Sequence, residues 1–227
     1  MPTLEDNMQF GDAEAVSTHL KKRVVELEDL ANHLRKQRTL GERSVVLPNI
    51  VQCASRQLQI LEASTNLPLE VAAGACRTAF ELCVRTLVLE KRPDTIMDFW
   101  IERLYDEKSL VSAFQRLTHE RTTAEDLEML SSRIAQLDDY TITHKLKKPI
   151  TSSMFKLAEA AGLGEEYKSM YGVYSKYTHA SSWLVNSKDA ERDGASYREM
   201  FLGMTQLYVE SSVQCVNRLA LLPRSDG

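Results

Sequence analysis

At 227 residues with 43% hydrophobic content, the chain carries enough apolar material for one large domain or two small ones. A formal charge of −4 gives no global attraction to phosphate backbones, which argues against a dedicated DNA binder and leaves any nucleic-acid contact to a local basic patch. The 9 Gly and 6 Pro punctuate long spans of Leu, Ala, Glu, Lys, Arg, Met and Gln, so the fold is read as all-α, a single multi-helix bundle of about six to eight helices.

The first element runs from about Asp12 to Thr39, where Val16, Leu20, Val24, Leu27, Leu30 and Leu34 recur at helical steps. Leu20, Leu27 and Leu34 share one heptad position, and Val16 and Leu30 share another that Arg23 interrupts. Such a helix either lies on its own core or makes a short coiled-coil contact with a second copy. The sequence is therefore divided into an N-terminal leader and amphipathic helix over 1–47, a candidate homodimer contact, and a helical bundle over 48–227. Gly41 ends the first helix, and Pro48 suits the first turn of a second, over 48–63. The third, over 68–91, is the most apolar, with Val71, Ala75, Leu82, Val84 and Leu89, and belongs in the middle of the bundle.

Asp94 is placed as the N-cap of a helix carrying Met97, Trp100, Ile101 and Leu104, with further helical segments to about Leu137. Periodicity fails in DDYTITHKLKKPIT, residues 138–151, which reads as a connection bearing the basic cluster His144, Lys145, Lys147 and Lys148. That cluster is either a solvated loop or a phosphate contact. Thr151 or Ser152 caps a short helix through Ala161, Gly162 and Gly164 break it, and a helix from Glu165 to about Trp183 follows. A polar loop over 186–194 precedes a last helix from Ala195 to Leu221, with Phe201, Met204, Leu207, Tyr208, Val213 and Val216 facing the core.

Cys53, Cys76, Cys83 and Cys215 form no CxxC pair and no zinc-finger spacing with histidine, so they read as core thiols of a reducing compartment. The start MPTLEDNMQF is acidic and lacks an apolar stretch, and no apolar run reaches the roughly 20 residues that a bilayer requires. The expectation is a cytoplasmic protein without membrane contact. There is no glycine-rich phosphate loop, HExxH, GxSxG or ExxH pair, so no metal or other cofactor is expected.

Two constellations could carry chemistry. Arg77, Glu81 and Arg85 follow one another at four-residue steps along one face of the third helix. They read either as a structural ion-pair ladder or as half of a site. YKSMYGVYSKYTHASSW, residues 167–183, aligns Tyr171, Ser175, His179 and Ser182 as one stripe flanked by Tyr174 and Tyr177, with Ser175 and His179 one turn apart. An imidazole there can shuttle protons, and an arginine on a facing helix can hold a phosphate or carboxylate in bidentate fashion. Equally, His179 can bridge Ser175 and Glu81 in a network that locks two helices together.

The pairing of RTAFELCVRTLVLE, residues 77–90, with YGVYSKYTHAS, residues 171–181, resembles the bacterial DUF5677 family of uncharacterised helical proteins and, more distantly, the HEPN-like helical domains of RNases and defence systems. The resemblance runs from the second helix to the last and leaves the N-terminal helix outside. It implies a HEPN-like bundle serving a bacterial defence or stress system as a metal-independent RNase. His179 would then be the general acid/base and Arg77 the phosphate anchor, with Glu81 and Ser175 orienting them; Arg85, Tyr174 and Lys176 would contact substrate. RNA or another protein is the implied partner. One departure stands out: HEPN RNases carry an arginine shortly ahead of the histidine, whereas Val173 to Thr178 contain none. Arg77 would have to be recruited across helices, or Lys176 used. The alternative is a non-enzymatic interaction or small-anion-binding module in which the same cluster is a structural hydrogen-bond network.

Overall fold

A computed structural model of the chain describes residues 7–64, 67–117, 122–149, 152–188 and 194–223. Among them are nine α-helices and no strand, so the all-α bundle inferred from composition is the observed class. The helices are α1 (Ala13–Lys36), α2 (Arg43–Ala63), α3 (Leu69–Lys91), α4 (Ile96–Arg116), α5 (Ala124–Thr143), α6 (Met154–Ala161), α7 (Gly164–Thr178), α8 (Ser182–Asn186) and α9 (Ala195–Leu221). The chain divides into two compact units, one formed by Met1–Pro93 with Ser152–Gly227 and the other by Asp94–Thr151.

In the first unit α3 is the central helix, packed against α2, α6, α7 and α9. Its sequence explains the position: Ala72, Ala73, Cys76, Ala79, Phe80, Cys83 and Val84 are buried around most of its circumference, and the small residues let neighbouring helices approach closely. One stripe stays half-exposed, and Arg77, Glu81 and Arg85 occupy it. The last helix matches its expected bounds, Ala195–Leu221. Of its expected core residues, Phe201, Tyr208, Val213 and Val216 are buried, while Met204 and Leu207 are half-buried.

α1 packs along α2, with Val16, Leu20, Leu27, Ala31 and Leu34 buried and the Asp12 side chain accepting from Ala15 N at 2.9 Å as its N-cap. Arg23, which interrupts the heptad, has a specific partner. Its Nε and Nη2 donate at 2.6 and 2.7 Å to the two carboxylate oxygens of Glu210 on α9, which is 2% exposed. Burial alone would lower the guanidinium pKa, but the hydrogen bond and charge of Glu210 outweigh it and the net shift is upward. The segment before α1 is also docked on α9. The buried Gln206 amide accepts from Gln9 N at 2.9 Å and donates to Gln9 O at 3.0 Å. Phe10 lies over Gly203, where a Cβ would come within 2.9 Å of its ring.

Several boundaries depart from the sequence reading. α2 begins at Arg43 rather than Pro48, which sits inside the helix. The early start is anchored by Arg43, whose Nη1 and Nη2 donate to Leu219 O and Pro223 O at 2.7 and 3.1 Å, capping the C-terminus of α9. α6 is capped by Ser153, whose hydroxyl accepts from Lys156 N, rather than by Ser152. Thr151, the other expected cap, lies outside the described residues, as do 189–193 of the expected polar loop. Gly162 breaks the chain as expected, in the left-handed conformation at φ 88°, whereas Gly164 opens α7.

The largest correction concerns α7, which ends at Thr178 instead of continuing to Trp183. His179 is extended at φ −125° and ψ 154°. Ser181 provides the physical reason, because its hydroxyl accepts from Leu184 N at 3.1 Å as the N-cap of α8 and donates to Lys176 O at 2.9 Å, an orphan carbonyl at the end of α7.

The second unit is an antiparallel helical hairpin of α4 and α5, with Ile101, Leu104 and Leu137 buried. Asp94 falls in a 3-10 turn, Pro93–Thr95, and Thr95 precedes α4 without a side-chain cap, so Asp94 is not its N-cap. α5 starts with a capping box of Thr123 and Asp126 and continues to Thr143, past the Leu137 limit. The extension is held across the hairpin by Lys108 on Asp138 at 2.5 Å and by Trp100 against Tyr140, rather than by an apolar stripe. His144, Lys145, Lys147 and Lys148 follow it as exposed residues. No described helix is long and apolar enough to cross a membrane.

Candidate functional site

The polar face of α3 meets α7, and Arg77 is the hub of the seam. Its Nε donates to Glu81 Oε1 at 3.0 Å, Nη1 to Thr178 Oγ1 at 3.2 Å, and Nη2 to the Tyr171 hydroxyl at 2.8 Å. The guanidinium also lies 4.7 Å from the centroid of the Tyr171 ring, a cation–π contact. Tyr171 is stacked on Tyr167, with centroids 4.7 Å apart and planes at 18°, so Arg77 is held in position and orientation by three side chains from two helices.

Beyond this anchored arginine stands His179, with its Nε2 3.5 Å from Arg77 Nη1. A guanidinium has no acceptor, so any hydrogen bond between them requires an unprotonated Nε2. The imidazole is exposed, on the segment between α7 and α8, whereas Arg77 and Glu81 are 23% and 32% exposed. The seam therefore opens to solvent on its histidine side.

The structure brings Arg77, Glu81 and His179 together, but not as one histidine-bearing helix against one arginine-bearing helix. Because α7 ends at Thr178, Ser175 and His179 are not neighbours on a helical stripe. Ser175 sits half-buried on α7 one turn from Tyr171 and from Thr178. Arg85 lies two turns along α3 from Arg77 and is half-buried, and Lys176 is exposed. Tyr174 points inward and is fully buried. The sequence pattern does not single out Thr178 as a member of the seam and shows Tyr171 only as part of the stripe; their seven-residue spacing, which puts both on one face of α7, is the available signal.

Inward from the seam runs a second polar chain. The Cys76 thiol approaches the Tyr174 hydroxyl at 3.5 Å, Tyr174 donates to the Tyr208 hydroxyl at 3.4 Å, and Tyr208 donates to Glu166 Oε1 at 2.6 Å. Burial pushes both phenols well above the usual tyrosine range, helped for Tyr208 by the nearby Tyr174 and the hydrogen bond to Glu166. Burial likewise pushes the thiols of Cys76, Cys83 and Cys215 up to about 11, about 12 and about 12. All three are buried and lie in the core as structural thiols. At pH 8 the native protein is expected to release colour from a disulfide reagent at no more than one cysteine, the half-buried Cys53, and at all four after denaturation. Rapid reaction of two or more cysteines in the native state would contradict this packing.

The fold and seam define an all-α protein with a solvent-facing Arg–Glu–His cluster between two of its bundle helices. The family model of DUF5677, described as a family of unknown function, matches residues 50–195, and the chain belongs to that family. The matched span contains both α3 and α7, and so both sides of the seam. No curated protein and no solved structure matches the chain.

Proposed function

We propose that the α3–α7 seam is a phosphodiester site and that the protein is a metal-independent ribonuclease acting on single-stranded RNA. The observation that carries this reading is an exposed imidazole, His179, beside an arginine whose position is fixed by Glu81, Thr178 and Tyr171. Preorganised cation and proton acceptor side by side suit cleavage through the ribose 2′-hydroxyl: the imidazole takes the proton as the 2′-oxygen bonds to phosphorus and returns it to the departing 5′-oxygen, whose bond to phosphorus breaks to leave a 2′,3′-cyclic phosphate, and the guanidinium steadies the charge that grows on phosphate. Glu81 and Tyr171 orient the arginine. A role in a bacterial defence or stress response follows from the resemblance to HEPN-like domains alone.

A second reading is favoured by the same distances. Three nitrogens of Arg77 already donate within the protein, as in a fastening that locks α7 onto α3, with at most a small anion bound at its open side. Incubating labelled single-stranded RNA with the protein and with His179→Ala separates the two. The ribonuclease reading expects cleavage by the wild type and a fall of about 10²–10⁴-fold in the variant. Because His179 is exposed, the melting temperature should be unchanged. No cleavage by the wild type across pH 5 to 9, or equal cleavage by both, rejects the ribonuclease and leaves the fastening.

A further inference from the structure

A cavity of about 320 Å³ lies elsewhere in the first unit, bounded by α3, the start of α7 and one stripe of α9. It uses no residue of the Arg77 seam. Leu87, Leu163 and Leu207 give it apolar walls, and Glu166 and Tyr208 give it a polar end. Its volume is at the lower end of small-molecule sites, which run from roughly 300 to 1,000 Å³.

Charge decides what such a cavity would hold. Glu166 lies in the first turn of α7, and one of its oxygens accepts from Tyr208. Among the described residues no Lys, Arg or His lies within ion-pair distance of this carboxylate. The two thiols in the wall, Cys83 and Cys215, stay neutral because burial raises their pKa. Among the described residues the one cation in the lining is Arg218, ten residues from Tyr208 along α9 and therefore about 15 Å away along the axis. Its guanidinium is already engaged by both carboxylate oxygens of Glu90. A ligand seated at the polar end meets the Glu166 carboxylate and apolar walls, with no cation among the described residues within ion-pair distance of that carboxylate.

We infer that this cavity between α3, α7 and α9 is a binding site for a small organic ammonium compound, whose cationic head pairs with Glu166 and whose apolar body lies against Leu87, Leu163 and Leu207. The site is independent of the ribonuclease reading and stands or falls separately from it.

Isothermal titration of the full chain with phenethylammonium, 2-phenylethanol and 3-phenylpropanoate tests it, because the three probes share one body and differ in head-group charge. The expected result is saturable one-site binding of the ammonium probe, at least tenfold tighter than either analogue. Glu166→Gln, which keeps an acceptor for Tyr208, should weaken it at least tenfold. Ser211→Phe, which fills the cavity from α9, should abolish it, with circular dichroism confirming that each variant is folded. Failure of the ammonium probe to saturate, equal binding of the alcohol, or preferential binding of the carboxylate would each overturn the assignment on the wild-type protein alone. Undiminished affinity in a folded Glu166→Gln protein would overturn it too.

Discussion

Replacing Phe80 by alanine is expected to lower the free energy of unfolding by about 3–5 kcal/mol, the range for truncating a fully buried aromatic side chain. Phe80 has no exposed surface and sits on α3 at the convergence of three tyrosines, with ring centroids 5.0 Å from Tyr208, 6.2 Å from Tyr174 and 6.2 Å from Tyr167. These tyrosines belong to α7 and α9, so a single side chain ties the central helix to two neighbours. Its loss would leave a void beside Tyr174 and Tyr208, whose phenols are already hydrogen-bonded to each other and cannot easily move into it. Urea titration followed by circular dichroism at 222 nm is the measurement, and Phe80→Leu should recover much of the loss. A cost below 1 kcal/mol for the alanine variant would mean that the ring cluster is not the centre of the core.

The second large effect is expected at Arg23. Arg23→Ala should cost about 3–5 kcal/mol, because it leaves the carboxylate of Glu210 buried without its cation. The asymmetry of the pair matters: Glu210 is 2% exposed, whereas the Arg23 side chain is 15% exposed and also reaches Glu26. Removing the arginine should therefore be worse than removing the glutamate. The double change Arg23→Met with Glu210→Leu restores apolar complementarity between α1 and α9, and is expected to recover most of the stability lost in Arg23→Ala. The same urea titration on Arg23→Ala, Glu210→Ala and the double variant checks the order, and a double variant no better than Arg23→Ala would show that the pair contributes more than mutual neutralisation.

The sequence discloses those elements whose stability comes from their own periodicity. α3 and α9 were readable almost to the residue because a continuous apolar surface leaves no other way to pack them. The sequence pattern ends α5 at Leu137, short of Thr143, because the last turns are polar and depend on partners in α4, such as Lys108 on Asp138, which no local pattern records. Arg23 shows the same limit: its partner is 187 positions away, and in the sequence it is visible only as a gap in a heptad.

The site was legible in part for similar reasons. Arg77 and Glu81 declare themselves as charges at helical spacing on an apolar helix, and the hydroxyl-rich α7 was a natural partner. The run Thr178-His179-Ala180-Ser181-Ser182 is ambiguous in sequence because serine and threonine serve both a helix interior and an N-cap. Only the hydrogen bonds of Ser181 to Leu184 and Lys176 reveal that the helix breaks there. That break takes His179 off the α7 stripe and exposes it.

The docking of the segment before α1 has a practical side. Gln206 grips residue 9 through its backbone N–H and C=O alone, so the identity of the side chain at position 9 is immaterial to the grip. Position 203 has no such freedom, since a methyl group there would displace the Phe10 ring. Residue 9 is thus a place to attach a fluorine or spin label that would report release of this segment from α9 in solution while leaving the contact that holds it untouched.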